Sequence, residues 1–195
     1  MPEHATQEEE VADLRVLAAA MATESARYLD TVTEVAAGSS PDAAIPLLLL
    51  AVSDVVAAGA RLGAITDVVP EERFEPDDGP EPDPDALRTS LANVLDGLDE
   101  YREIPDPLVD IAPVTGSLSA DLGEVATALR RGLQHYRAGQ EVEALWWWQY
   151  SYLSSWGDRA AAALRALLSV LGHLRLDVDA EVAAEAEFEA LHAED

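Results

Sequence analysis

The sequence predicts an all-α protein: a bundle of about five helices, with an acidic proline-rich loop inside it and an acidic tail helix at its end. Three observations carry that prediction. Apolar residues recur in alternating steps of three and four along five stretches, the spacing that puts them on one face of a helix. Start and stop signals bracket those stretches. No stretch alternates with the period of two that marks a half-buried strand, so no sheet is expected. Residues 1–176 are read as a single helical domain carrying the loop at 71–85, and 177–195 as an acidic tail that continues as a weak helix over 180–192.

The first helix spans 6–37. Thr6 followed by Glu9 has the pattern of a capping box, Val11, Leu14, Ala18, Met21, Ser25, Tyr28, Val32 and Val35 form the stripe, and Gly38 stops it. Ser40 and Pro41 then cap and open a second helix with the stripe Ile45, Leu48, Val52, Val55, Gly59, Leu62. Gly59 and Gly63 there predict the close approach of another helix. Asp83 and Pro84 start a third helix, with Leu87, Leu91, Val94, Leu98 and Tyr101 on one face. The proline-bearing stretch 104–116 is expected to be irregular. A fourth helix covers about 117–137 on Leu118, Leu122, Val125, Leu129, Leu133 and Tyr136, and Gly139 ends it. The fifth, about 141–175, has large apolar side chains over nearly half its circumference and is expected to be central.

Composition excludes several chemistries. The 195 residues contain no cysteine, which removes disulfides, thiolate nucleophiles and sulfur-ligated metals. All 12 basic residues are arginine, so a Walker-type phosphate loop and a Schiff-base lysine are also ruled out. A net charge of −26 argues against direct nucleic-acid binding and against anionic membranes. The longest apolar run, 43–52, is short for a membrane span, and the start lacks a basic signal region, so the expected location is the cytoplasm.

The four histidines, His4, His135, His173 and His192, are scattered. Glu189-x-x-His192 has the spacing of one di-iron ligand pair, but such a site needs two, so neither a metal nor a cofactor is expected. No Gly-x-Ser-x-Gly elbow occurs and no catalytic residues are assigned; the reading leans against an enzyme. Two features remain. On a helical wheel Trp146 and Trp156 face the core, Trp148 lies at the boundary, and Trp147 points to the polar side with Asp158 and Arg165. An exposed indole beside an arginine is the composition of an interaction hot spot. Gln149 is the converse, a polar side chain within the apolar arc, which needs a buried hydrogen-bond partner or lines a pocket.

The run Gly-Ser-Leu-Ser-Ala-Asp-Leu from Gly116 resembles a bacterial family of uncharacterised proteins, the domain of unknown function 5063. So do Arg130-Arg131-Gly132-Leu133 with Tyr136, Glu-Ala-Leu-Trp-Trp-Trp-Gln-Tyr-Ser-Tyr from Glu143, and Trp156-Gly157. The likeness covers about residues 86–170 and implies a helical fold without a known activity. It also implies an arginine where this chain has Gln149, an aspartate at Ala128, and histidines at Ser155 and Arg159, so an activity resting on those four is not expected here.

The function expected is therefore that of a non-enzymatic protein that binds a protein partner, of unknown identity, through Trp147, Asp158 and Arg165. Two alternatives stand beside it: an acidic decoy that occupies a partner's basic nucleic-acid-binding surface through 71–85 and the tail, and a small-molecule binder or enzyme with a pocket at Gln149.

Overall fold

The computed structural model describes residues 2–70, 84–105 and 108–176, with the backbone alone over 2–11. The acidic stretch 71–83, the tail from 177 and the Glu189–His192 pair lie outside the described residues.

Helix α1 runs Pro2–Ala36, so Thr6 and Glu9 fall inside the helix and not at its start. Its stripe is buried as the spacing requires: Ala18, Met21, Ser25, Tyr28, Val32 and Val35 are all core residues. After a 3-10 turn at Pro41–Ala43, helix α2 runs Ala44–Gly63 and buries Ile45, Leu48, Val52, Val55, Gly59 and Leu62. Proline sits at the start of that turn, where its missing N–H removes no helical bond, and Ser40 makes no side-chain cap bond. By length and composition 41–63 would suffice to cross a membrane, its most apolar 18-residue window having a mean hydropathy of 2.0, which corrects the expectation that no segment could. Asp42, Asp54 and Arg61 interrupt its apolar runs. Its buried face is occupied by α1 and by the last of the described helices.

Helix α3 is short, Asp85–Val94, and here the expectation needs correcting. Gly97, at φ +78, turns the chain away in a conformation that a side chain strains, so Leu98 and Tyr101 leave the helical face. Tyr101 lies instead on strand β1, Glu100–Glu103, which pairs antiparallel with β2, Val114–Ser117, in the register Tyr101↔Gly116. Four-residue strands are too short to show the period of two. The ring of Tyr101 lies over Gly116, where a Cβ would come 2.6 Å from Cζ.

The hairpin delivers the chain to α4, Leu118–Arg137, with Ser117 as its N-cap accepting from the Ala120 N–H at 3.2 Å. The Asp99 carboxylate clasps the same helix start, accepting from the Ser119 N–H at 2.7 Å and from the Ser117 and Ser119 hydroxyls. A carboxylate there also meets the positive end of the helix dipole. Helix α4 packs on α1, α3 and both halves of the final rod, and the Tyr28 hydroxyl donates to the Leu122 carbonyl at 2.9 Å.

The final rod is not one α-helix. It consists of α5, Glu141–Ser151, a π turn at Tyr152–Trp156, and α6, Gly157–Leu176. The Gly157 N–H bonds the Tyr152 carbonyl five residues back. A Cβ at Gly157 would stand 2.5 Å from that oxygen, so glycine is required where the turn closes. Trp156 and Tyr152 press onto Gly59, whose own Cβ would meet both rings at 2.5 Å. Among the described residues the architecture is a helical bundle with one small two-stranded sheet attached.

Candidate functional site

The π turn changes which side chains the rod presents. One extra residue turns everything after it by roughly 100° relative to a continuous α-helix, so a wheel drawn over 141–175 mixes two phases. Trp148, expected at the boundary, is fully buried, and Trp146, expected in the core, is only partly buried. Trp156 is in the core as expected.

Trp147 is not the free indole that the wheel implied. It is half-buried against α4, its Nε1–H donates to the Ala128 carbonyl at 2.9 Å, and the Arg131 guanidinium lies 4.6 Å from the ring centroid. Its outer edge walls a cleft of about 320 Å³ between α4 and the rod, which Tyr150, Thr127, Ala128, Ser154 and Ser155 also line. Trp146 and Tyr150 stack beside it with centroids 5.2 Å apart and planes within 1° of parallel, and Tyr150 remains 56% exposed. The result is an aromatic shelf above a hydroxyl-lined cleft.

Asp158 and Arg165 do not share that face. Asp158 is exposed on α6, and Arg165 opens onto a separate cleft against the hairpin. The structure thus divides the expected trio, because the π turn separates Trp147 from the other two.

Gln149 is buried and fully engaged. Its Oε1 accepts from the Val68 N–H at 2.8 Å, and its Nε2 donates to the Leu62 carbonyl at 2.9 Å and the Thr66 carbonyl at 3.4 Å. It ties the end of α2 and the chain that follows to the rod, and neither cleft is lined by it. Of the other positions where the resemblance implied charged or histidine side chains, Ala128 and Ser155 both face the Trp147 cleft. Arg159 belongs elsewhere.

Arg159 completes a polar cluster that sequence reasoning missed. The Tyr101 hydroxyl donates to Asp121 Oδ2 at 2.5 Å, and Arg159 lies 3.3 Å from Asp121 Oδ1 and 3.7 Å from Glu103 Oε1. Both carboxylates are almost entirely buried. Burial raises the Asp121 pKa above the ordinary carboxylate value, against the lowering pull of Tyr101 and Arg159. Burial, and then the bond to Asp121, push the Tyr101 phenol upward as well, so it stays a proton donor. The signal was available in the sequence. Asp121 sits three positions after Leu118 and beside Leu122, on the core stripe. Among the described residues no three His, Asp or Glu gather as a metal site. The cluster ties the hairpin to α4 and α6.

A family model described as domain of unknown function (DUF5063) matches residues 12–173. No curated protein matches the sequence. Among solved structures, the crystal structure of protein BF1032 from Bacteroides fragilis is similar, with a TM-score of 0.59 at 16% identity, over 82% of this chain and 92% of that one. At that identity the likeness concerns the fold alone.

Proposed function

Because the chain belongs to the DUF5063 family, whose description carries no activity, we propose from the geometry alone that it is a binding protein. Its partner is a protein that inserts an apolar or aromatic side chain into the Trp147 cleft, against the Trp146–Tyr150 shelf. The observation that carries this reading is the shelf itself. Two stacked rings stand at the surface, one of them more than half exposed, beside a cleft walled by a third. Aromatic side chains of this kind dominate the energetics of protein interfaces. Hydroxyls of Ser154, Ser155 and Thr127 around the cleft supply the polar rim that interfaces carry. The π turn adjoins the cleft, as π turns often adjoin functional sites. A net charge of −26 favours a partner that presents a basic segment, with association that weakens as salt rises.

Tyr150→Ala tests the reading, since an exposed ring can be truncated without opening the core. Co-purification from the native host is compared for wild type, Tyr150→Ala and Leu174→Ala, an exposed control on α6. A protein retained by wild type and the control but lost with Tyr150→Ala supports the proposal. If every retained protein survives Tyr150→Ala, the cleft is not the binding face.

A further inference from the structure

The second cleft has a different chemistry. It is about 330 Å³ in volume, within the range of small-molecule sites, and lies between the hairpin and the last turns of α6. Arg102 enters it from β1, and Arg165 and His173 enter it from α6, over an apolar floor that includes Leu98 and Val170. Neither Arg102 nor Arg165 is ion-paired with any described residue. By contrast, Arg15, Arg27, Arg88 and Arg159 all have carboxylate partners. Glu100 lines the same cleft, yet it is not within ion-pair distance of either arginine.

Arg61, Arg130, Arg137 and Arg175 are likewise without an ion pair among the described residues; what sets Arg102 and Arg165 apart is that both line one concavity. Here two arginines from different elements, one on β1 and one on α6, open onto the same concavity. Guanidinium groups bind carboxylate and phosphate oxygens in a bidentate fork, and two forks on opposite walls fit one oxyanion between them. The apolar floor fits an organic body attached to that oxyanion. The backbone that carries Arg102 is positioned independently of any ligand. Its strand neighbours Tyr101 and Glu103 are fixed in the Asp121–Arg159 cluster, and β1 is held in register by β2.

We infer that the cleft between β1 and α6 is a binding site for a small organic oxyanion, a carboxylate or phosphate ester, held between Arg102 and Arg165. This site is independent of the Trp147 cleft, and its success or failure leaves the reading of that cleft untouched.

The test is isothermal titration of the full chain with phenyl phosphate and with benzoate, each compared with inorganic phosphate. Saturable binding of either aromatic probe with a Kd of about 1 mM or tighter is expected, with inorganic phosphate weaker because it cannot use the floor. The preferred probe shows which oxyanion the site takes. Arg165→Gln and Arg102→Gln should each weaken that binding about tenfold, while Arg61→Gln, an exposed arginine on α2, leaves it unchanged. Circular dichroism confirms that the variants remain folded. Absence of saturable binding by both aromatic probes would overturn the assignment. So would equal affinity in Arg165→Gln, or an equal loss in Arg61→Gln, which would mark a diffuse charge effect.

Discussion

Replacing Gly132 by alanine should destabilise the protein by about 2 kcal/mol, although alanine is the better helix former. Gly132 lies inside α4 where the buried Trp148 indole crosses it, and a Cβ there would run directly into the ring at Nε1, Cε2 and Cδ1. On propensity alone the substitution would gain about 1 kcal/mol. Against this, forcing a methyl into a filled core costs roughly 1–3 kcal/mol. Moving the indole also breaks the bond from Trp148 Nε1–H to the Leu129 carbonyl, 3.3 Å, and a buried donor left unpaired costs about 1–3 kcal/mol more. Gly172 in α6 is the internal control: a Cβ there meets nothing within 4 Å, so Gly172→Ala should gain up to about 1 kcal/mol. Urea unfolding followed by tryptophan fluorescence reads both. With a slope of about 2 kcal/mol per molar, Gly132→Ala should lower the midpoint by roughly 1 M and Gly172→Ala should raise it slightly. A Gly132→Ala protein as stable as wild type would refute the seating of Trp148 on α4.

Two further outcomes follow from the buried polar groups. Gln149→Ala leaves the Val68 N–H and the Leu62 carbonyl without their partner; at about 1–3 kcal/mol per stranded group, the melting temperature should fall by about 4 °C or more, and an unchanged value would show that the strut is dispensable. For Asp121, the raised pKa in the folded state means that its protonated form is favoured by folding. Its contribution is fully present below the ordinary carboxylate pKa and is lost as pH rises through the folded value. Wild type should therefore lose stability relative to Asp121→Asn as pH climbs from about 4, and parallel melting profiles for the two proteins would exclude the effect.

The helices were legible because burial of one face imposes a period on the residues that build it. The stripes at Ile45–Leu62 and Leu118–Leu133 are buried residue for residue. Gly59 marks the close approach that its missing side chain permits, though the visitor is the pair of rings at the π turn and not a helix backbone. The hairpin was not legible, since a four-residue strand shows too few alternations to stand out and its stability comes from long-range ties to Asp121 and Arg159. The π turn leaves a trace in the sequence. Positions 148, 152, 156 and 160 step by four three times in succession, where an uninterrupted α-helix would need a step of three. A continuous wheel, which has no place for the extra residue, misplaces Trp146 and Trp148 and sets Trp147 in company with Arg165. Gln149 and Asp121 could be singled out as polar residues at apolar positions, but their partners lie 81 and 20 residues away at Val68 and Tyr101, beyond what any local pattern can name.

The surplus residue at Tyr152–Trp156 sets the phase between the two halves of the rod. Shifting the extra position one turn along the chain would rotate only the side chains it passes, and the rest of the rod would stay where it is. Those side chains include Tyr152, which rests on α2, and Ser155, which faces the cleft under Trp147. The same five residues therefore carry both the grip of the rod on α2 and part of the wall of the Trp147 cleft.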